Sequence, residues 1–196
     1  MNVQRPDAAI LAGGASRRMG FDKALIRLNG VSLLRSHIRT LRRKASSVYV
    51  VSNRKLPPEL TTGASVISDH YKNVGPLAGI HAAFSAGTAQ TLWVTACDMP
   101  TNALPLLEFF ASSSYSEEIF AIVGEDETGE IAPFNALYFR SILPVITTSI
   151  HQRKLSIRAL LKEIPIKKVP FQTVLDICGR NPFISFNTPE DIENYK

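Results

Sequence analysis

The run Leu11-Ala12-Gly13-Gly14-Ala15-Ser16-Arg17-Arg18-Met19-Gly20-Phe21-Asp22-Lys23 decides how this chain is read. Residues 8–12 are apolar and are bounded by Pro6 on one side and the Gly13-Gly14 pair on the other, which predicts a fully buried strand feeding a loop. Ligands of open α/β sheets bind at such strand ends, and glycines there let backbone N–H groups come close to an anion. The loop is not a Walker A loop, because Gly20 is followed by Phe21-Asp22 rather than Lys-Ser/Thr, and it lacks the G-x-G-x-x-G spacing of dinucleotide loops. Arg17 or Arg18 offers forked donors to phosphate oxygens and Lys23 a point charge, so two cations stand ready to neutralise a polyphosphate. For the two glycines alone, a plain strand-to-helix turn with solvated charges on its rim is a sufficient account.

Working outward, Ser32 precedes Leu34, Ile38 and Leu41 at helical spacing, predicting a helix over 32–44. A strand follows at 48–51, a Pro57-Pro58 loop, and a brief strand at 66–67 ending in Ser68-Asp69. Pro76 suits the first position of a helix that carries Leu77, Ile80 and Phe84 and stops at Gly87. Residues 91–96 read as another buried strand, closed by Cys97-Asp98-Met99-Pro100. Strands alternating with helices in this way mark a mainly parallel sheet covered on both faces, an α/β fold. The second half is less regular: strands at 119–123 and 134–139 flank a turn at 124–129, helices at 142–150 and 157–161 precede an apolar stretch at 166–169, and a last strand at 183–186 leads through Asn187-Thr188 into a helix from Pro189. No repeat, low-complexity tract or linker interrupts residues 1–196, so one domain is expected.

Of 196 residues, 45% are hydrophobic and 20% charged, a globular balance, and the net charge of +5 draws the chain toward anionic partners. Aromatics are not interleaved with the basic clusters at Arg17-Arg18, 39–44 and Lys167-Lys168, which argues against nucleic acid as a partner. Cys97 and Cys178 stand far apart, and His37, His70, His81 and His151 show no ligand spacing, so neither a disulfide framework nor a zinc site is expected. The apolar runs are too short for a signal peptide or a membrane span, and a cytoplasmic location is the expectation.

The thirteen-residue string closely resembles the LAGG-x-x-x-RMG-x-x-K signature of nucleotidyltransferases that activate sugars and cofactors. Its Arg-Arg-Met-Gly version, together with the chain length, resembles the molybdenum cofactor guanylyltransferases. The resemblance continues in order at Asp69, at Gly75-Pro76-Leu77-Ala78-Gly79, at Cys97-Asp98-Met99-Pro100 and at Asn187-Thr188-Pro189-Glu190-Asp191. It implies a three-layer α/β/α, Rossmann-like fold with a mainly parallel mixed sheet. It implies transfer of GMP from GTP to molybdenum-molybdopterin, with molybdoenzymes or their chaperones as further partners.

By the same resemblance Leu11, Ala12, Gly13 and Gly14 line the nucleotide, Lys23 binds phosphate, Asp69 contacts the nucleotide and Asp98 holds Mg²⁺, with Arg18, Lys23 and Asp98 carrying catalysis. A carboxylate ending a buried strand is a hard oxygen ligand of the kind Mg²⁺ shares with phosphates, while capping the loop before Pro100 is the ordinary alternative for Asp98. Asp69 as a turn former, Asn187 as a helix cap and Gly75 with Gly79 as helix-start residues have equally ordinary accounts. Two departures stand out: Val51 lies where the family often has Asn, with Asn53 two residues on, and Ala132-Pro133 replaces a common His-Pro pair. A cytidylyltransferase, a sugar- or polyol-phosphate nucleotidyltransferase and a non-catalytic nucleotide-binding carrier are the alternatives on the same scaffold.

Overall fold

The computed structural model describes residues 5–13, 23–71, 73–114 and 118–195. Its centre is a seven-stranded sheet of β1 (Asp7–Leu11), β4 (Val48–Val51), β5 (Ser65–Ile67), β6 (Thr91–Ala96), β7 (Ala121–Glu125), β8 (Ile131–Phe139) and β9 (Ile166–Val169), in the order β5-β4-β1-β6-β8-β7-β9. β4 and β6 pair with β1 in parallel, β5 with β4 and β9 with β7; β8 runs antiparallel to both β6 and β7. Only β8 of this sheet is therefore reversed. Between β1 and β4 the two-residue strands β2 (Arg27–Leu28) and β3 (Val31–Ser32) form a hairpin, turned by Asn29 at φ 50° and Gly30 at φ 77°. That pair of positive φ angles is what an Asn-Gly hairpin turn supplies.

Side chains alternate across the central strands, so each strand feeds two cores. Ile10, Val50, Trp93, Ile122 and Leu137 pack under α1 (Leu33–Leu41), α2 (Pro58–Thr61), α4 (Leu104–Ser112) and α7 (Phe171–Cys178). Ala9, Val51, Val94, Val123 and Tyr138 pack under α3 (Pro76–Ala86), α5 (Leu143–His151) and α6 (Ile157–Glu163). The result is the expected three-layer α/β/α arrangement. Local chemistry sets the helix ends: Ser32 Oγ accepts from Arg35 N at the start of α1, and α3 starts from Gly75 at φ 76° with Pro76 in its first turn and stops at Gly87. α8 (Pro189–Asn194) opens on a reciprocal capping box between Thr188 and Asp191.

Several expectations change. Residues 183–186 are not a strand: the segment makes one backbone hydrogen bond to the strand-end loops, Phe186 N to Asp98 O at 2.8 Å, and enters no ladder. The apolar stretch at 166–169 is instead the strand β9, and Pro57-Pro58 opens the one-turn helix α2. The turn between β7 and β8 sits later than expected, with Asp126 accepting from Gly129 N and donating to Glu130 O. Helices α4 and α7 and the β2–β3 hairpin were not expected at all. In the second half, β8 bulges between its pairings Leu137↔Ile122 and Ala132↔Gly124. Pro133 lacks a ladder donor, its carbonyl accepts from Tyr138 Oη at 2.6 Å, and Asn135 takes φ 52°.

α1 is bound to the loop after β6 through His37, 4% exposed, whose Nε2 donates to Met99 O at 2.9 Å. Burial lowers its pKa from 6.5 to about 4, against the opposing pull of the Met99 carbonyl and the Asp98 charge. Between those two values the unfolded chain binds a proton that the folded chain refuses, so stability falls as pH drops through that window. We expect the His37 contribution to be about 3 kcal/mol by pH 4. Urea midpoints measured between pH 7 and pH 4 should fall less steeply in His37→Gln than in the wild type; parallel slopes would show that His37 is not the group responsible.

Candidate active site

The parallel pairing of β1 and β6 brings two strand ends together. Leu11 pairs with Ala96, and the ladder extends one step further as Cys97 N donates to Leu11 O at 3.1 Å. Ala12 N is held by Val51 O at 2.9 Å. Leu11, Ala12 and Gly13 therefore leave the sheet beside Asp98, which leaves β6. A Cβ on Gly13 would meet nothing closer than Val51 O at 3.9 Å, so packing within the described residues does not require glycine there. Gly79 is different: its missing Cβ makes room for Leu11, whose Cδ2 lies 2.8 Å from where that Cβ would be. The Gly75-Pro76-Leu77-Ala78-Gly79 segment thus seats α3 against the strand end.

Lys23 begins a short 3₁₀ turn, and its ammonium bridges two oxygens from distant parts of the chain: Asp98 Oδ2 at 2.6 Å and Asn187 Oδ1 at 2.7 Å. Asp98 is 8% exposed, and the same Oδ2 accepts from Ser185 Oγ at 2.9 Å. Asn187 Nδ2 donates to Ser185 O, and Asp191 Oδ2 accepts from Asn187 N at 2.6 Å and Thr188 N at 2.7 Å. Those two backbone donors, Asn187 first, hold the Asp191 carboxyl below the ordinary carboxylate range. The non-strand segment over 183–187 is therefore the third wall of the site.

That wall is anchored from β8 and β7. Asn135, 1% exposed, donates from Nδ2 to Pro182 O at 2.7 Å. Phe183 lies against Gly124, where a Cβ would stand 2.4 Å from the ring. Ser185 and Asn135 carry no sequence signal of these contacts, because each acts through backbone geometry that forms only when the second half folds back.

Asp69 stands elsewhere on the same edge. Its N–H donates to Asn53 Oδ1 at 3.1 Å, and its own Oδ1 is buried without a partner among the described residues. β5 lies three strand spacings from β6, roughly 14 Å. The structure thus joins Lys23 to Asp98 and sets Asp69 apart with Asn53. Gly14, Arg17 and Arg18 lie outside the described residues. Among those residues no three His, Cys, Asp or Glu side chains cluster as a metal site. A single carboxylate with neutral oxygens suits Mg²⁺, which takes one or two protein carboxylates and completes its shell with water and phosphate. Lys23 already marks a point where a cation is held by Asp98 Oδ2 and Asn187 Oδ1.

Residues 8–169 match the model of the MobA-like NTP transferase domain. The chain is 33% identical over 193 residues to the molybdenum cofactor guanylyltransferase of Syntrophotalea carbinolica, covering 96% of this chain and 90% of that protein. It is 30% identical over 192 residues to a probable molybdenum cofactor guanylyltransferase of Carboxydothermus hydrogenoformans, covering 97% and 95%. The crystal structure of molybdopterin-guanine dinucleotide biosynthesis protein A from Archaeoglobus fulgidus superposes with a TM-score of 0.77 at 25% identity, over 96% of this chain and 95% of that one.

Removing the Asn135 side chain tests the anchoring of the third wall. Asn135→Ala loses a buried hydrogen bond and places a Cβ-bearing, non-amide residue at positive φ, a cost of about 2 kcal/mol. Amide exchange at Phe186 should speed up in this variant while exchange at β1 stays slow. Equal protection at Phe186 in both proteins would show that Asn135 does not hold the segment.

Proposed function

The chain belongs to the MobA-like NTP transferase family, and from that premise we propose that it transfers GMP from GTP to molybdenum-loaded molybdopterin, giving molybdopterin guanine dinucleotide and pyrophosphate. The observation that carries this reading is the meeting of Lys23, Asp98 and Asn187 at the ends of β1 and β6, where the glycine loop also leaves the sheet. The guanylyl choice and the acceptor follow the relatives, aligned over nearly the whole chain.

In the proposed reaction an oxygen of the acceptor's terminal phosphate forms a bond to the α-phosphorus of GTP, and the bond from that phosphorus to the bridging oxygen of the β-phosphate breaks. Pyrophosphate carries away the electron pair. A phosphate monoester has a second pKa near 6 and is already dianionic at neutral pH, so the nucleophile requires no general base. The residues of the site position and neutralise instead. Lys23 presents a mobile point charge to phosphate oxygens, and Arg18 adds a forked donor in this reading. Asp98, with the Ser185 and Asn187 oxygens beside it, would hold Mg²⁺. When bound, that ion would supply positive charge to the phosphate oxygens. The Oδ1 of Asp69, buried and unpartnered among the described residues, is an acceptor that suits the ribose hydroxyls or base N–H groups of a nucleotide. Asn53, tied to the Asp69 backbone, belongs to the same contact. No helix among the described residues is long and apolar enough to cross a membrane, which agrees with work in the cytoplasm.

Lys23→Ala and Asp98→Ala should each cut pyrophosphate release about 100-fold or more while far-ultraviolet circular dichroism stays that of the wild type. Full turnover in either variant removes that residue from the mechanism. In calorimetric competition with Mg²⁺ present, GTP should displace CTP, ATP and UTP; a preference for CTP replaces the guanylyl assignment with a cytidylyl one. Nucleotide binding without pyrophosphate, even with loaded molybdopterin supplied, would make the protein a carrier.

A further inference from the structure

A groove of about 690 Å³ shares no residue with the site just described. It lies between the β2–β3 hairpin, the outer face of α1, and α2. Among the described residues Arg27, Arg35, Arg39, Arg42 and Arg43 line it, against one acid, Glu59. Arg35 and Arg39 on α1 and Arg42 and Arg43 just beyond its end are exposed, and among the described residues none of the five arginines makes an ion pair within 4.0 Å. Nearby Lys44 does, with Glu108 at 2.7 Å, so this face is not short of acids everywhere.

Helix electrostatics do not account for the set. Arg39, Arg42 and Arg43 lie at the C-terminal end of α1, where the helix dipole favours cations, but Arg35 lies in the first turn, where it disfavours them. Arg35 and Arg39, and Arg39 and Arg43, are also like charges one turn apart, an unfavourable spacing. Two of the five are held in place by neutral groups: Arg27 Nη1 donates to Gly30 O at 3.0 Å, and Arg42 lies across Gly63, with Nη1 2.8 Å from where a Cβ would stand. Unpaired guanidinium groups gathered from two elements and partly fixed in place form a surface prepared for carboxylates or phosphates.

The rest of the lining decides between these. Val31 is an exposed large aliphatic residue, 49% accessible, beside the arginine stems, while Ile38 and Leu60 are buried and form only the floor beneath it. Among the described residues no aromatic side chain lines the cavity, so these offer bases nothing to stack on. A purely phosphorylated ligand leaves the aliphatic surface unused. We propose that this groove docks a protein partner through an acidic segment whose carboxylates meet the arginines and whose aliphatic side chains, set between them, cover Val31 and the arginine stems. Arginine beside an apolar centre is the composition from which protein interfaces draw much of their binding energy.

The test is fluorescence anisotropy with a labelled peptide of glutamates and leucines. Its glutamine-for-glutamate and all-glutamate counterparts, a single-stranded oligonucleotide and inorganic tripolyphosphate serve as comparisons. The glutamate-leucine peptide should bind best, weaken as salt is raised, and lose about tenfold or more in affinity on the Arg35→Ala/Arg39→Ala protein. That double variant should release pyrophosphate at the wild-type rate, and Lys167→Ala/Lys168→Ala should bind the peptide normally. Equal or tighter binding of the all-glutamate peptide, the oligonucleotide or tripolyphosphate overturns the proposal in favour of a general anion site. Peptide binding that survives loss of Arg35 and Arg39 places the contact elsewhere and also overturns it. The binding readouts do not depend on the identity of the nucleotide or acceptor.

Discussion

Two strands lying side by side and pointing the same way impose the geometry on which this molecule depends. Because β1 and β6 are parallel neighbours, with Leu11 opposite Ala96, whatever follows each must emerge at one edge of the sheet. The glycine loop and Asp98 are far apart in the chain and adjacent in space for that reason alone. In an antiparallel pair the two would lie at opposite edges. Burial on both faces keeps the pairing in register: Ile10 and Trp93 fill one core while Ala9 and Val94 fill the other, and a one-residue slip would exchange every one of them.

Around this edge the protein gathers charge with little excess. Asp98 is nearly enclosed, yet its carboxylate has both an ammonium and a hydroxyl as partners. Asn187 and Ser185 are neutral, so the arrangement holds one cation without building up the negative charge that would repel a polyphosphate. His37 reaches the same loop from behind and is kept neutral by its burial, adding a hydrogen bond to Met99 without adding charge near Asp98. The site is thus assembled from strand ends and loops but braced by α1 and β8, which take no part in the chemistry themselves.

The first half of the fold is legible from the amino-acid sequence because its signals are local. Continuous apolar runs mark β1, β4 and β6, between Pro6 and Gly13 for β1, between serines for β4 and before Pro100 for β6, and Pro76 with Gly87 frames α3. The second half is harder to read because its structure depends on distant partners. Residues 183–186 have the composition of a strand, but Phe183 is committed to Gly124 and Phe186 to the core formed with Ile26 and Leu33, so no edge is offered to them. The α4 sequence, apolar nearly throughout, has the weak periodicity of a helix packed between sheet and neighbours. The Asn29-Gly30 pair carries a hairpin-turn signal, but the two-residue strands beside it have too little alternation to mark a hairpin in the sequence. At the site, Lys23 and Asp98 stand out by residue type and position, whereas Asp69, set apart on β5's end, reads by itself as a turn former. Ser185 and Asn135 do not, because a serine or asparagine acquires its role only from what the folded backbone places opposite it.

The reversed strand has an architectural consequence. Since β7 arrives at the ligand edge and β8 departs from it, the tight corner at residues 126–130 overhangs that edge on the side away from β1. Its ends are fixed by the ladder, while its tip, built on Asp126 receiving Thr128 and Glu130, owes nothing to either core. Residues inserted there would raise a parapet beside the reaction without moving a single strand. A longer or shorter corner would therefore reshape that edge while leaving the Lys23, Asp98 and Asn187 contacts untouched.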